Sequence, residues 1–395
     1  MPDRLFVRKL PPILLCLFAL LLVGCGATSP GPNNSNLTPA PADKQVLRYP
    51  IGAADFGTLD PARAMLDIDN FTIQMIFTGL VELKSDGTLI DQMAASHQIS
   101  ADGLTYTFKL KPNLKFSDGS PITAEDIAYS INRVLSPETK SPTSSLLEPI
   151  KDSDKILAGK IPTLIGDSLL VKDLQTISIA LSSPAAYFLQ ALSGPEAFTV
   201  NKRLIEKYGS KWTDHLAEGA GSGPFQAQAY DHNTGLTLVP NPNYSGPQSK
   251  LQKIEMLRSG DVDTTYKTYQ TGQLDYTTVP TIQLASAKQR KDFHQVPILQ
   301  MTAITMNFLA KPFNNVKIRQ AFALAVNKDL LAENVMHGAT APTNHILPLG
   351  MPGYNKAFTG VAGVSSTRGD ASKAKQLLQE GMQEEGYASV NQLPR

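Results

Sequence analysis

The sequence predicts an α/β protein with more than one domain, and three observations support this fold class. The chain has 395 residues, which is long enough for several hydrophobic cores. Apolar and polar residues alternate over 104–110, which is typical of a half-buried strand. After a turn at 117–120, apolar residues recur at helical spacing over 124–135. A strand and a helix in one short stretch indicate a mixed scaffold, and none of these residues is typical of a catalytic centre.

The helix in this stretch has clear start and stop signals. Thr123 is a good N-cap residue, and Glu125 and Asp126 place negative charge in the first turn, where the helix dipole favours it. Pro137 ends the helix, because the residue before a proline disfavours the helical conformation. We therefore predict a helix over 124–135.

Further elements are predicted along the chain from the same kinds of signal. They are an extended segment from 46, a buried helix within 68–84, loops and short helices over 136–170, a strand over 177–181, a helix over 202–208 capped by Asn201, a helix over 263–270, a strand over 274–277, a helix over 316–326, a second helix from Asn327 to Gly338, and a helix that follows Asp370.

The stretch that predicts the fold class also resembles a known family. Residues 102–133 read DGLTYTFKLKPNLKFSDGSPITAEDIAYSINR and resemble the signature of family 5 of the extracellular solute-binding proteins, the dipeptide- and oligopeptide-binding proteins of ABC importers. Further landmarks that resemble this family are GSGPF at 221–225, LTLVPNPNYSG at 236–246 and KPFNN at 311–315. The resemblance covers residues 45–390. It implies a bilobal periplasmic-binding-protein-like fold of class II, in the large peptide-binding form with an extra inserted domain.

Composition and the resemblance together predict how the chain is divided. We expect a signal peptide at 1–24, a flexible tether at 25–44, a discontinuous domain I at 45–62 and 196–288, an inserted domain II at 63–195, and a partial domain III, the closing lobe, at 289–395. The tether is expected because 26–43 is rich in Gly, Pro, Asn, Ser and Thr and lacks apolar periodicity.

The resemblance also implies that the closing lobe is incomplete. Family members continue beyond the helix that resembles 370–380, and that later part carries the acidic partner of the peptide's α-amino group. We therefore expect exposed apolar faces on 316–335 and 371–378, incomplete folding of domain III, and weak or no peptide binding by residues 26–395. The alternative is that this chain closes the lobe by a shorter route.

The N-terminus has the layout of an export signal. Basic residues precede an apolar run at 13–23 that is short for a membrane span. The run ends in Leu-Val-Gly-Cys at 22–25, which resembles a bacterial lipobox, so we expect cleavage before Cys25 and acylation of its thiol. The alternative is a signal anchor that stays embedded. Cys16 lies within the leader, so the mature chain would have one lipidated cysteine and no disulfide.

Composition and motifs argue against several classes of function. A net charge of +1 with scattered basic residues does not favour nucleic-acid binding. The six histidines show no metal-ligand spacing, and no cofactor or metal is expected. There is no G-x-S-x-G nucleophile motif, and Ser222 in GSGPF is interpreted as a turn residue. No Walker sequence occurs, as expected if a separate subunit uses ATP.

The resemblance supplies the candidate ligand-binding residues. In the family, the first contacts come just after the Leu-Asp-Pro turn, which is at 59–61 here, and weaker candidates come from the closing lobe. The candidates are Gly57, Thr58, Leu59, Ala64, Met65, Asn307 and Tyr354. The alternative is that Met65 belongs to the core and Asn307 is a satisfied turn residue.

These expectations together describe a monomeric, lipid-anchored substrate-binding protein on the extracytoplasmic face of the cell membrane or in the periplasm. It would capture short peptides between two lobes and deliver them to the permease subunits of an ABC transporter. Strand-like pairing with the peptide backbone would make recognition indifferent to side-chain identity. The alternatives are another solute, such as a nickel chelate, haem or an oligosaccharide, a fragment without transport function, and an exported hydrolase.

The lipobox leads to a first prediction. The change Cys25→Ser should release the protein from the membrane or leave the leader uncut, because the acylated thiol is lost. Membrane fractionation and mass measurement of the mature N-terminus test this. A Ser variant that stays on the membrane with a normally processed N-terminus would contradict the lipobox interpretation.

Overall fold

The computed structural model describes residues 40–41, 44–296, 298–351 and 353–394. The predicted signal peptide, Cys25 and most of the predicted tether lie outside these ranges. No helix in the described ranges combines the length and the apolar character needed to cross a membrane.

The elements are numbered here in chain order. The strands are β1 (Val46–Gly52), β2 (Val81–Leu83), β3 (Leu89–Asp91), β4 (Ala94–Ile99), β5 (Thr105–Leu110), β6 (Leu169–Asp173), β7 (Thr176–Ala180), β8 (Phe225–Asp231), β9 (Gly235–Pro240) and β10 (Lys253–Arg258). The helices are α1 (Asp67–Ile76), α2 (Ala124–Leu135), α3 (Ser153–Leu157), α4 (Phe188–Ala191), α5 (Lys202–Tyr208), α6 (Val262–Gln270), α7 (Leu284–Ala287), α8 (Val316–Ala325), α9 (Lys328–Leu330) and α10 (Ala371–Glu384). Among the shorter helical segments are Ser144–Leu147, Pro195–Ala197, Gly209–Glu218 and Leu331–Val335.

The strands form three sheets in the described part of the chain. Sheet A has the order β1-β10-β9-β8, in which β1 pairs with β10 in parallel and the other neighbours are antiparallel. Sheet B is the β2–β3 hairpin. Sheet C has the order β4-β5-β7-β6 and is antiparallel throughout. The mixture of helices and sheets confirms the predicted α/β class.

Strand β5 of sheet C and helix α2 confirm the strand predicted over 104–110 and the helix predicted over 124–135. Tyr106, Phe108 and Leu110 alternate along β5 and are buried against α2 and its neighbours. Thr123 caps α2, and Asp126 completes a capping box by accepting a hydrogen bond from the Thr123 N–H at 2.8 Å. The buried cluster here, the first core, takes its members from 80–197 together with Ala62.

A second core lies against sheet A. It is made by residues of 56–77 and 198–256, and Trp212 and Phe77 are its largest fully buried side chains. Helix α1 contributes Ile73 and Ile76 to this core, although the predicted boundary at residue 63 assigns α1 to the inserted domain. The domain division itself stays a prediction.

The GSGPF motif lies at the junction of the two cores. The N–H groups of Ser222 and Gly223 donate to the Ile76 carbonyl, at 2.9 and 2.8 Å. A Cβ atom on Gly223 would lie 2.8 Å from the Ile76 carbonyl carbon, so the site has no room for a side chain. The Ser222 hydroxyl donates to Thr199 O at 3.1 Å and accepts from Thr78 N–H at 3.1 Å. Ser222 therefore links Thr78 to Thr199, at the two places where the chain passes between the cores.

Helices α8 and α10 form a third, smaller cluster. Ala321 and Leu324 of α8 pack against Ala374 and Leu377 of α10. The two predicted apolar faces thus cover each other in part, which differs from the expectation that both would lie open. Large side chains that are exposed in this region are Val296, Ile298, Leu299, Ile304, Phe308, Leu309, Val316, Phe322, Leu330, Leu331, Val335, Ile346 and Leu349.

The predicted strand over 274–277 is wrong. Asp275 contacts β1 mainly through its side chain, which accepts hydrogen bonds from the N–H of Arg48 at 2.8 Å and from its guanidinium at 2.7 and 3.0 Å. One backbone bond, from Asp275 N–H to Arg48 O at 3.0 Å, accompanies these contacts. The local pattern of Leu274 to Thr277 could not show that a carboxylate would take the place of a strand ladder.

A buried ion pair links the first core to the second. Asp60, 4% exposed, lies in the segment between β1 and α1 and accepts from the guanidinium of Arg133 on α2, with Nη1 2.8 Å from Oδ1. The indole N–H of Trp212 donates to the same carboxylate at 3.3 Å, and Ala62 N–H donates at 3.0 Å. Four donors from three segments therefore compensate one buried charge.

This ion pair leads to a second prediction. The change Arg133→Ala leaves the Asp60 carboxylate buried without its cation, so the free energy of unfolding should fall by about 3–5 kcal/mol. The matched control is Arg203→Ala, because Arg203 pairs with Asp118 at the surface and an exposed pair contributes about 0–1 kcal/mol. Urea unfolding followed by tryptophan fluorescence measures both variants. Equal decreases in the free energy of unfolding would show that the buried pair stabilises the fold no more than the exposed pair does.

Candidate functional site

The segment that carries most of the predicted ligand contacts, residues 53–66, connects β1 to α1. Asp69 in the first turn of α1 is buried and accepts hydrogen bonds from Gly57 N–H at 3.1 Å and Thr58 N–H at 3.0 Å. Burial raises the pKa of Asp69, and the hydrogen bonds from Thr58 and Gly57 offset part of this rise. A Cβ atom on Gly57 would lie 2.9 Å from Asp69 Oδ2. Only glycine lets the backbone approach the carboxylate this closely.

A second carboxylate holds the start of the same segment. Asp55 accepts from the Tyr230 hydroxyl, which lies 3.1 and 3.0 Å from its two oxygens, and from Phe56 N–H at 2.8 Å. Burial and the neighbouring Asp55 raise the pKa of Tyr230, so its hydroxyl stays a neutral donor. The segment is thus fixed from sheet A on one side and from α1 on the other.

Exposed apolar side chains lie beside this segment. Met65 is 69% exposed and Leu66 is 53% exposed. Nearby, the ring of Tyr49 is stacked on that of Tyr276, with centroids 4.6 Å apart, and its centroid lies 4.9 Å from that of Phe71. Burial and Tyr276 raise the pKa of Tyr49 to about 12, so this phenol is neutral at physiological pH. We call Tyr49, Phe71 and Tyr276 the aromatic cluster. It can supply apolar contact area to a ligand.

The backbone at Gly57 and Thr58 offers acceptors rather than donors. The N–H groups of residues 56–58 and of Asp60 are already donated to side chains of the segment or of α1. In contrast, no hydrogen bond from the described residues reaches the carbonyl oxygens of Gly57, Thr58 and Leu59. The segment therefore matches a ligand that donates hydrogen bonds, such as an amide N–H or an ammonium group.

The structure places the predicted site residues in different environments. Leu59 and Ala64 are buried in the second core, backbone included, so neither residue is open to a ligand. Met65 is exposed, which argues against the alternative that it belongs to the core. Gly57 is exposed and Thr58 is half-buried.

The candidates from the predicted closing lobe make local contacts. Asn307 is exposed, and its Oδ1 accepts from Leu309 N–H at 3.1 Å, as in the alternative of a turn residue. The Tyr354 ring stacks on His345 with centroids 4.4 Å apart. Within the described ranges, no hydrogen bond or aromatic contact joins Asn307 or Tyr354 to residues 57–65. All the predicted ligand contacts stay predictions.

Sequence reasoning did not identify Asp69 or the aromatic cluster. The sequence does place acidic residues in the first turn of α1, where the helix dipole favours negative charge. A carboxylate at this position could have been expected to accept hydrogen bonds from nearby backbone N–H groups. The cluster had no sequence signal, since Tyr49 and Tyr276 come from distant segments that meet at the edge of sheet A.

The described residues do not form a metal centre. No group of three or more His, Cys, Asp or Glu side chains in the described ranges could hold a metal ion. The site thus consists of hydrogen-bond acceptors and apolar surface.

The mixed α/β scaffold, taken with the family and structural matches that follow, places the chain in the class of bilobal α/β substrate-binding proteins. The model of "Bacterial extracellular solute-binding proteins, family 5 Middle" matches residues 88–390, and the chain belongs to this family.

Individual relatives show how far the similarity extends. The chain is 29% identical over 391 residues to the oligopeptide-binding protein OppA of Bacillus subtilis, which covers 97% of this chain and 70% of that protein. It is 30% identical over 331 residues to the probable deoxycholate-binding periplasmic protein YgiS of Escherichia coli, covering 82% of this chain and 60% of the relative. The crystal structure of a periplasmic oligopeptide-binding protein (OppAIV) from Borrelia burgdorferi matches with a TM-score of 0.74 and 30% identity, over 85% of this chain and 66% of that one.

The Asp69 contacts lead to a third prediction. The change Asp69→Ala removes the acceptor of the Gly57 and Thr58 N–H groups, so hydrogen exchange of these two amides should accelerate. The free energy of unfolding should fall by about 1–3 kcal/mol, the usual result of leaving such groups unsatisfied. Asp67→Ala is the matched control, because Asp67 is an exposed acid in the same helical turn. Unchanged exchange at Gly57 and Thr58 in the Asp69 variant would contradict the assigned role.

Proposed function

We propose that this chain is the substrate-binding component of an ABC importer and that it captures short peptides. The family match over residues 88–390, together with relatives named as oligopeptide-binding proteins, carries this proposal. These relatives are named as binding proteins and not as enzymes, which supports a function in capture rather than catalysis.

The geometry of the 53–66 segment supports a peptide ligand. The carbonyl groups of Gly57 and Thr58 would accept hydrogen bonds from the ligand backbone, as in strand addition. Met65, Leu66 and the aromatic cluster would contact ligand side chains without selecting one side chain by hydrogen bonding. Affinity would thus come from the backbone, and side-chain preference would be broad.

Capture would involve closure of two lobes on the peptide, with Asn307 and Tyr354 contributing from the second lobe. The loaded protein would then dock on the permease subunits of the transporter. We further propose that the chain is exported, acylated at Cys25, and acts as a monomer held at the membrane. The apolar run at 13–23 and the Leu-Val-Gly-Cys sequence support this anchoring.

A second candidate ligand is a bile-salt-like steroid. The similarity to a probable deoxycholate-binding protein favours it, and so does the exposed apolar surface around Met65 and Leu66. Such a ligand has a large apolar face and few N–H donors, so it would use the aromatic cluster more than the carbonyl groups of the segment.

The fourth prediction concerns ligand binding. In the presence of a library of di- to pentapeptides, the chain from Cys25 onward should unfold at a higher temperature. Such a shift would favour the alternative that the closing lobe is completed by a shorter route, over the expectation of weak or absent binding. A ligand at about ten times its Kd stabilises the protein by ~1.4 kcal/mol, so even weak binding is measurable. Calorimetry should show binding, and mass spectrometry should show that the peptides remain uncleaved.

The variant Tyr276→Ala should weaken peptide binding, because it removes the ring stacked on Tyr49. Tyr187→Ala is the matched control, since Tyr187 is an exposed tyrosine next to α4 and away from the aromatic cluster. A response to deoxycholate or to nickel salts with no response to peptides would contradict the peptide proposal. Peptide cleavage would favour a hydrolase.

A further inference from the structure

His232 contacts two carboxylates that belong to different segments of the chain. It lies in the turn between β8 and β9, at one edge of sheet A. Its Nδ1 is 2.6 Å from Asp55 Oδ2, and its Nε2 is 3.4 Å from Asp214 Oδ1. Asp214 lies in the helical segment Gly209–Glu218, and Asp55 is the third residue of the candidate ligand segment 53–66. One imidazole therefore links three segments.

This geometry favours the charged form of the imidazole. A neutral ring can donate from one nitrogen only, so the second carboxylate would face a lone pair. When both nitrogens are protonated, each can donate to its own carboxylate. The hydrogen bond to Asp55 raises the pKa of His232 above its ordinary value and outweighs the lowering by burial, and attraction to Asp55 and Asp214 adds smaller rises.

The charged groups around His232 are mainly acidic. Asp231 precedes it on the hairpin, and backbone N–H groups of Asn233 and Thr234 lower the pKa of Asp231, so it stays ionised. The Tyr230 hydroxyl shares Asp55, and its ring lies 4.5 Å from the imidazole. Asp69 is the next carboxylate towards α1 and acts on Tyr230.

A cation of sheet A, Arg258, contacts the same hairpin. Its guanidinium donates to His232 O at 3.2 Å and to Ala53 O at 2.5 Å, so it fixes the hairpin to the backbone of the segment at any physiological pH. Within this group of contacts, the Arg258 hydrogen bonds do not change over the physiological pH range, whereas the protonation of the His232 imidazole does.

We propose that the His232 cation, held between Asp55 and Asp214, is a positioning residue for the ligand-binding segment, and that peptide binding weakens when the imidazole loses its proton. The proposal rests on the peptide-binding function. Asp55 fixes the backbone two residues before Gly57, and Asp69 fixes Gly57 and Thr58 directly. Deprotonation removes the positive charge and leaves one N–H donor for two carboxylates, so the imidazole no longer links Asp55 to Asp214. Asp55 then depends more on Tyr230, and the carbonyl groups of the segment become less well ordered.

The sign of the pH dependence follows from the raised pKa. The charged, two-donor contact is complete below the ordinary pKa of histidine, about 6.5. As pH rises through the higher pKa of the folded protein, the ring loses its charge and one of its two hydrogen bonds. Peptide affinity should therefore be highest under mildly acidic conditions and fall on the alkaline side.

The test measures the Kd of trialanine between about pH 5 and about pH 9, where histidines titrate, for the wild type and for His232→Gln, Asp214→Asn and His294→Gln. The ratio of each variant's Kd to the wild-type Kd cancels the titration of the peptide itself. His232→Gln should bind trialanine about fivefold more weakly than the wild type near pH 5, a small effect for coupling between two sites. The ratio of its Kd to the wild-type Kd should approach one near pH 9. Asp214→Asn should move the wild-type midpoint to lower pH, because one of the two carboxylates that favour the cation is gone. His294→Gln, an exposed histidine outside the contact, should match the wild type throughout.

A His232→Gln variant with the wild-type affinity and pH profile would overturn the proposal. Hydrogen exchange of the ligand-free protein keeps this result separate from a failure of the proposed function. The amides of residues 56–58 should lose protection with rising pH in the wild type and show constant, lower protection in His232→Gln. If trialanine binds no variant but this difference in protection appears, the positioning role holds and the peptide assignment fails.

Discussion

The buried carboxylate of Asp60 is the interaction on which the arrangement of the two larger cores depends. A charge at this depth is costly unless donors surround it, and the donors come from α2 through Arg133, from the second core through Trp212, and from Ala62 N–H. The candidate ligand segment runs through this point, since Asp60 follows directly after Leu59. The backbone that presents carbonyl groups to a ligand is therefore anchored by the same carboxylate that connects sheet C to sheet A.

Three carboxylates with different roles hold the segment between β1 and α1, two within it and one in the first turn of α1. Asp55 and Asp69 hold the backbone on either side of Gly57, and Asp60 holds the segment to the first core. Because these side chains occupy the N–H groups of the segment, the carbonyl groups are left for other partners. The chemical character of the site thus follows from how the loop satisfies its own backbone.

Much of the local structure could be predicted from the sequence, and the site could be predicted only in part. The alternation at Tyr106 and Phe108, the N-caps at Thr123 and Asn201, and the helices after Asn315 and Asp370 all depend on neighbours in sequence, and the structure has them. The false strand at 274–277, the pairing of Arg133 with Asp60 and the aromatic cluster depend on contacts between distant segments. A sequence pattern shows periodicity and turn residues, but it does not show which distant side chain pairs with a buried charge. The resemblance located the 57–65 segment, whereas only the structure showed that Leu59 and Ala64 face the core.

The parallel pairing of β1 with β10 has a consequence for the order in which the protein folds. Val46 pairs with Lys253, whereas every strand of sheet C pairs with partners drawn from 94–180. Local pairings form sooner, because distant ones must first close a long loop. Sheet C and α2 can therefore assemble while β1 still lacks a partner. A chain that emerges N-terminus first leaves β1 as an open strand edge until β10 follows, and such edges invite pairing with other chains. The interval between the appearance of these two strands is the period in which a chaperone would protect this protein most.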